Sequence, residues 1–237
     1  MNCRVHGLDL ATVFWSTFLL TFLYGIDAKI MSRSVTTDEL TRQALRRTTR
    51  QWRCKLTPQY QQQAAHHWMQ HLLQLPEWIA SHHVALYWPQ QGEMNPLDLL
   101  SAAFSKTKRF YLPVLHPWKV GHLLFTPYDI NTPTVLNRFG IPEPISPLRN
   151  RLPPWCLDLV ITPLVCFDEQ GTRLGMGGGY YDRTFAFIRR SLHKTKLIGA
   201  AYEAQKVAPL ITNTWDIPLH SVITDQKIYR CRQNQKR

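Results

Sequence analysis

The sequence predicts an α/β fold, a single three-layer domain whose largely parallel, mixed sheet is covered by helices. From residue 36 onward, short apolar runs alternate with segments of helical period, the pattern of strands joined by crossover helices. The runs are apolar almost throughout, as in Asp158–Phe167 (DLVITPLVCF), which suits strands buried on both faces. Finally, 237 residues with 44% hydrophobic and 19% charged side chains can bury one large core and are too apolar for a disordered chain.

Thr36 and Glu39 have the spacing of a capping box, so a helix is expected from there to about Lys55. Leu40, Ala44, Leu45, Thr48 and Trp52 fall along one side, with Arg42, Arg46, Arg47, Arg50 and Arg53 on the remaining face. On composition alone that arginine face is solvated or binds nucleic acid. Thr57-Pro58 opens a second helix, Thr as cap and Pro in the first turn, where the missing N–H has no partner to lose; it ends near Leu75. His83–Trp88 reads as a buried strand, Asn95-Pro96 as the start of a helix to about Ser105, and Arg109–Leu115 as a strand with which Gly121–Thr126 or another neighbour pairs. Residues 127–157, rich in proline, read as a long surface loop. After Asp158–Phe167 comes a glycine loop, then a helix from about Tyr180 to Leu192, then strands at Lys196–Tyr202 and Ser221–Ile228. The domain is therefore expected over residues 36–229, with an apolar extension at 1–35 and a basic tail at 230–237.

Lys and Arg number 28 against 16 Asp and Glu, a formal net charge of +12. That surplus calls for an anionic partner: phosphate, nucleic acid, a membrane surface or a polyacidic small molecule. The five cysteines (Cys3, Cys54, Cys156, Cys166, Cys231) are scattered, odd in number and free of any C-x-x-C. They exclude a zinc ribbon and a disulfide-stapled secreted scaffold and read as reduced thiols of a cytoplasmic protein. His67 and His71 have the i, i+4 spacing of metal ligands, but without H-E-x-x-H the expectation is a solvated helix face. Ala11–Ile26 is uncharged over about 16 residues, short of the roughly 20 that span a bilayer. Initiation at Met31, a membrane anchor and an added buried helix all fit it.

The most informative segment is Arg173-Leu174-Gly175-Met176-Gly177-Gly178-Gly179-Tyr180-Tyr181-Asp182-Arg183, set between a strand and a helix. Glycines let backbone N–H groups approach an anion, and a helix start adds favourable dipole charge. No G-K-[ST] follows and the spacing is not G-x-G-x-x-G, so neither common nucleotide motif applies. A tight structural turn is the alternative; the flanking Arg173, Asp182 and Arg183 favour phosphate with a metal ion, for which Asp182 supplies one oxygen ligand.

The run DLVITPLVCFDEQGTRLGMGGGYYDRTF resembles the signature of the 5-formyltetrahydrofolate cyclo-ligase family. TRQALRRTTRQWRCKLTP, ALYWPQQGEMNPLDLL, FYLPVL, NRFGIPEP and WDIPL agree with it in order, so the resemblance spans about residues 38–228 and favours Met31 as the start. It implies the scaffold shared with sugar-phosphate isomerases and CoA-transferases. It also implies closure of 5-formyltetrahydrofolate, with or without a polyglutamate tail, to 5,10-methenyltetrahydrofolate using ATP and Mg²⁺. The formyl oxygen would be phosphorylated, N10 would attack, and ADP and phosphate would be released. Carried over by position, Arg42, Arg46 and the loop Arg173, Leu174, Gly175, Met176, Gly177, Gly178, Gly179, Tyr180 and Tyr181 would bind ATP. Glu93, Asn95 and Met176–Tyr180 would touch the folate. Asp182 and Asp216 would hold Mg²⁺, and Arg173, Tyr180 and Asp182 would be catalytic.

Three positions depart from the family pattern. Arg42 stands where many relatives have lysine, Asn95 where they carry an acid, and Gly178 where some carry a basic residue. Asn95 is expected to cap the next helix as well. The expected state is a monomer without nucleic acid. Two rival readings remain: a basic nucleic-acid-binding protein, resting on the arginine helix and the basic tail, and a sugar-phosphate isomerase or CoA-transferase-like enzyme on a similar scaffold.

Overall fold

The computed structural model describes residues 37–101, 107–189 and 193–231. The chain divides into Met1–Leu40 and Thr41–Arg237; of the first part, only Thr37–Leu40, the opening turn of a helix, is described. Thr36, the apolar stretch 11–26, the expected helix beyond Ser101, residues 190–192 and the tail from 232 lie outside the described residues.

Helix α1 (Thr37–Arg53) corrects the expected facing. Ala44 and Thr48 are exposed, whereas Leu45, Arg46, Thr49 and Trp52 are partly covered and Arg53 is fully buried. The guanidinium of Arg53 tolerates burial because it donates to Leu164 O at 3.2 Å and lies 3.5 Å from Glu93; a buried charge must be paired. Helix α2 (Pro58–Leu73) starts as expected: the Thr57 hydroxyl accepts the Tyr60 N–H at 3.2 Å. It buries Ala64, Ala65, Trp68 and Leu72, one stripe at helical spacing. A short α3 (Pro76–Ala80) follows.

The strands are β1 (His83–Ala85), β2 (Arg109–Leu115), β3 (Leu123–Pro127), β6 (Leu159–Pro163), β9 (Lys196–Ala200), β10 (Ser221–Ile223) and β11 (Ile228–Arg230), in the order β11-β10-β9-β6-β1-β2-β3. The five central strands are parallel; β3 and β11 close the edges antiparallel. Because side chains alternate along a strand, Val84, Leu159, Ile161 and Ile198 pack under α2, while Ala85, Val160, Leu197 and Val222 form the opposite core with Phe125 and Phe185. That is the expected three-layer arrangement. The chain leaves β1 for β2 and returns to β6 on the other side of β1, which puts a topological switch point between β1 and β6.

Other expected elements are shorter or divided. Residues 158–167 form β6 and then β7 (Cys166–Phe167), which turns back on β8 (Arg173–Leu174), because Pro163 brings no N–H to continue the ladder. Residues 221–230 bend at Thr224, whose hydroxyl accepts the N–H groups of Gln226 and Lys227. The loop 127–157 contains a hairpin, β4 (Thr134–Leu136) with β5 (Pro142–Pro144). Asn137 Oδ1 accepts the N–H groups of Phe139 and Ile141 in its turn, and Glu143 Oε1 accepts the Leu115 N–H, tying the hairpin to β2. Among the described residues, the expected helix after Asn95 shows a 3₁₀ turn over Leu97–Leu100, and the one after the glycine loop shows α4 over Tyr180–Thr184 and then a 3₁₀ turn over Ala186–Arg189.

Candidate active site

The carboxyl ends of β1, β2 and β6 open into a cavity of about 880 Å³, the position where open α/β sheets hold ligands. Tyr87 and Trp88 reach it from β1, Pro113 and Leu115 from β2, and Leu164 from β6. Arg42, Arg46, Glu93, Asp216 and the whole run Arg173–Asp182 line the same cavity, so the structure gathers nearly all the residues singled out by sequence. Asn95 is the exception. It lines no part of the cavity; its Oδ1 accepts the Leu97 N–H at 3.0 Å in an Asx turn, while the N-cap position of the 3₁₀ turn falls to Pro96, so the expected cap is not formed by Asn95.

The glycine loop follows β8. Gly177 (φ 96°) and Gly179 (φ 62°) are left-handed, a conformation other residues adopt at a cost, and a Cβ on Gly179 would lie 2.7 Å from Arg183 Nη1. Two arginines take the loop's carbonyls. Arg46 Nε donates to Gly175 O at 3.0 Å, and Arg183 donates to Gly178 O and, at 3.1 Å, to Gly121 O. Among the described residues, none accepts a hydrogen bond from the backbone N–H groups of residues 175–180. The loop therefore leaves its donors open at the cavity wall, with Arg46 and Arg183 beside it, a composition suited to an anion-binding nest.

Asp182, on the first turn of α4, accepts Arg173 Nη2 at 2.7 Å and the Ile217 N–H at 3.1 Å, both on Oδ1. Arg173, 5% exposed in its side chain, also donates to Ile217 O at 2.6 Å. Asp216, next along the chain to Ile217, accepts the Asn213 N–H at 2.7 Å and lies 3.9 Å from Arg42. Asp182 is thus tied to the residue that follows Asp216, and both carboxylates line the cavity. Among the described residues no group of three His, Cys, Asp or Glu side chains could hold a metal. Two carboxylates without a third fit a Mg²⁺ that completes its shell with phosphate and water.

The other wall is aromatic and less charged. Phe139 meets the Tyr180 ring edge-on at 5.9 Å, and Arg138 donates to the Tyr180 hydroxyl at 2.8 Å. Tyr181 instead stacks on Phe185 at 6.2 Å, and burial, with Glu93 nearby, holds its hydroxyl well above the ordinary value. Glu93 accepts the Gln90 N–H at 3.1 Å and faces Arg53. Burial pushes its carboxyl up, and Arg53 opposes that. Cys166 lies buried near the loop, its thiol raised to about 11 by burial, the state of a packing residue rather than a nucleophile. His71, set aside as a ligand, bonds to Thr224 O through Nδ1.

Sequence reasoning missed Arg53, Arg138, Phe139, Gln90 and Trp215 as site-forming residues. Arg53 had a signal: with Arg42 and Arg46 it falls at spacings of four and seven, hence on one helix face.

Comparison with known proteins gives the chain's family. A sequence model described as the 5-formyltetrahydrofolate cyclo-ligase family matches residues 38–225. The chain is 42% identical to the 5-formyltetrahydrofolate cyclo-ligase of Escherichia coli (strain K12) over 180 residues, 76% of this chain and 98% of that one. It is also 42% identical to the Haemophilus influenzae protein of the same name over 183 residues, 77% and 96% of the two chains. Among solved structures, the NMR structure of Aquifex aeolicus 5,10-methenyltetrahydrofolate synthetase superposes with a TM-score of 0.68 at 29% identity, covering 83% of this chain and 95% of the other. On the strength of a family match that runs from α1 through β10 and includes the glycine loop, this chain belongs to the 5-formyltetrahydrofolate cyclo-ligase family.

Proposed function

We propose that this cavity closes 5-formyltetrahydrofolate to 5,10-methenyltetrahydrofolate with ATP as co-substrate. The observation that carries the reading is the loop at residues 175–180: open backbone donors, carbonyls held by Arg46 and Arg183, and a cavity large enough for two substrates beyond it. A formamide oxygen is a poor leaving group. Its attack on the γ-phosphorus of ATP forms an O–P bond and breaks the bond to the β-phosphate oxygen, so ADP leaves. N10 then bonds to the formyl carbon and loses its proton. The C–O bond breaks, phosphate departs, and N5 and N10 share the positive charge.

The protein's part is positioning and charge stabilisation. The loop N–H groups cradle the triphosphate. Arg173, fixed by Asp182 and Ile217 O, presents a guanidinium to the phosphoryl group in transfer, and Arg42 and Arg46 add charge at the helix face. Tyr180, held by Arg138, and Glu93, held by Arg53, place the folate. Asp182 and Asp216 are the residues that would hold Mg²⁺, which would supply charge neutralisation at the phosphates. The rival nucleic-acid reading is weakened, because Arg42 and Arg46 line the cavity and Arg53 is buried, which leaves Arg47 and Arg50 of that stripe exposed.

The test is a single assay: full-length protein, 5-formyltetrahydrofolate, ATP and Mg²⁺, with absorbance followed for the methenyl product. ATP-dependent turnover supports the reading. Intact folded protein that binds ATP but forms no methenyl product would overturn it.

A further inference from the structure

Trp215 is 64% exposed and lines the cavity, yet its indole makes no ring contact or hydrogen bond among the described residues. Single exposed aromatics are common; this one sits on an unusually well-fastened backbone. Arg189 donates through one nitrogen to Thr214 O and through the other, at 2.7 Å, to Asp216 O, so one guanidinium grips the carbonyls on both sides of Trp215. Arg42 donates to Ile211 O and Arg173 to Ile217 O. Asn213 N–H bonds to the Asp216 carboxylate, and Ile217 N–H to Asp182. Three arginines and two carboxylates thus fix residues 211–217, which hold out a flat, unpartnered indole face into the cavity.

We propose that Trp215 is the stacking platform for the purine ring of ATP, an inference that rests on the reading of this cavity as an ATP site. Its place in the cavity selects the base over the folate ring. Trp215 precedes Asp216, which lies 3.9 Å from Arg42. Arg42 and Arg46 stand on the same helix beside the glycine loop, which is the polyanion end. The folate end has its own flat surfaces in Trp88, Phe139 and Tyr180, with Glu93 and Gln90 for ring hydrogen bonds. A nucleobase presents a π-face that an indole covers without reading its edges, and loss of one such platform costs roughly tenfold or more in affinity. The backbone clamp loses little to substitution of the side chain, since every clamping bond runs to main-chain atoms or to Asp216.

The experiment compares wild type with Trp215→Ala and Trp215→Phe in the full-length protein. Binding of ATP and of inorganic tripolyphosphate is measured by calorimetry, and KM is measured for ATP and for 5-formyltetrahydrofolate. Trp215→Ala should weaken ATP about tenfold and leave tripolyphosphate affinity and the folate KM within twofold. Trp215→Phe should recover most of the loss, because a smaller ring still stacks. Unaltered ATP affinity in Trp215→Ala, or a rise in folate KM instead, overturns the assignment while the ATP site stands. Wild-type protein that binds tripolyphosphate no more weakly than ATP also overturns it. Wild-type protein that binds neither removes the ATP site itself, and this inference with it.

Discussion

The two ends of the parallel strands treat their carboxylates in opposite ways. At the amino ends, Asp158 just before β6 accepts the N–H groups of His82 and His83, at 3.0 and 2.8 Å, and meets Lys194 at 2.8 Å. Burial works against its charge, but those donors outweigh burial and hold its pKa at about 2. At the carboxyl ends, Glu93 has one backbone donor and an arginine at 3.5 Å, and there burial prevails and lifts its carboxyl. One carboxylate is saturated with partners and joins three strands; the other keeps acceptor capacity toward a cavity. Perturbation in the direction of the neutral form, beside a ligand-sized space, marks the working end of the sheet.

That contrast breaks first at Arg173. Arg173→Ala removes the guanidinium that orients Asp182, and steady-state kinetics should show kcat/KM for ATP reduced about 100-fold or more, the scale of losing one transition-state donor. Arg173→Lys should recover only part, since a point charge cannot serve Asp182 and Ile217 O together. Next in size is Glu93→Gln, expected to raise the KM for 5-formyltetrahydrofolate about tenfold, as for a charge-assisted hydrogen bond. Because burial raises the Glu93 carboxyl, the wild-type acid limb of kcat/KM for the folate should lie above the ordinary value of 4.5, with activity lost as pH falls through it. The pH profile of Glu93→Gln should lack that limb.

The smallest effect sharpens the contrast from the structural end. Asp158→Asn should leave both KM values unchanged and cost about 1 kcal/mol, a drop of about 2–4 °C in melting temperature. The folded pKa is lowered from 3.8 to about 2, so the carboxylate's stabilisation is complete above 3.8 and is lost as pH falls toward 2. Melting curves of wild type and variant should converge across that window.

Local signals in the sequence served well. Arg109–Leu115 has its expected limits, Thr57 caps its helix, and the glycine loop stands where its composition placed it, because each depends on residues close in the chain. The divided strands were legible in part: Pro163 and the Thr224 turn are local breakers that a continuous apolar run disguises. The facing of α1 was not, since an arginine stripe reads as solvated until the partners of Arg53, Leu164 O and Glu93, are folded against it. Arg138 and Trp215 stayed hidden for the same reason. Tyr180 lies 42 residues from Arg138, and the arginines that fix the Trp215 segment come from α1, β8 and the turn after α4.

A crystal structure of the full chain with ATP and Mg²⁺ would decide whether the glycine loop is the phosphate cradle. The triphosphate should lie against residues 173–182, within hydrogen-bond distance of the backbone N–H groups of the loop. A triphosphate bound anywhere else on the molecule would contradict the account.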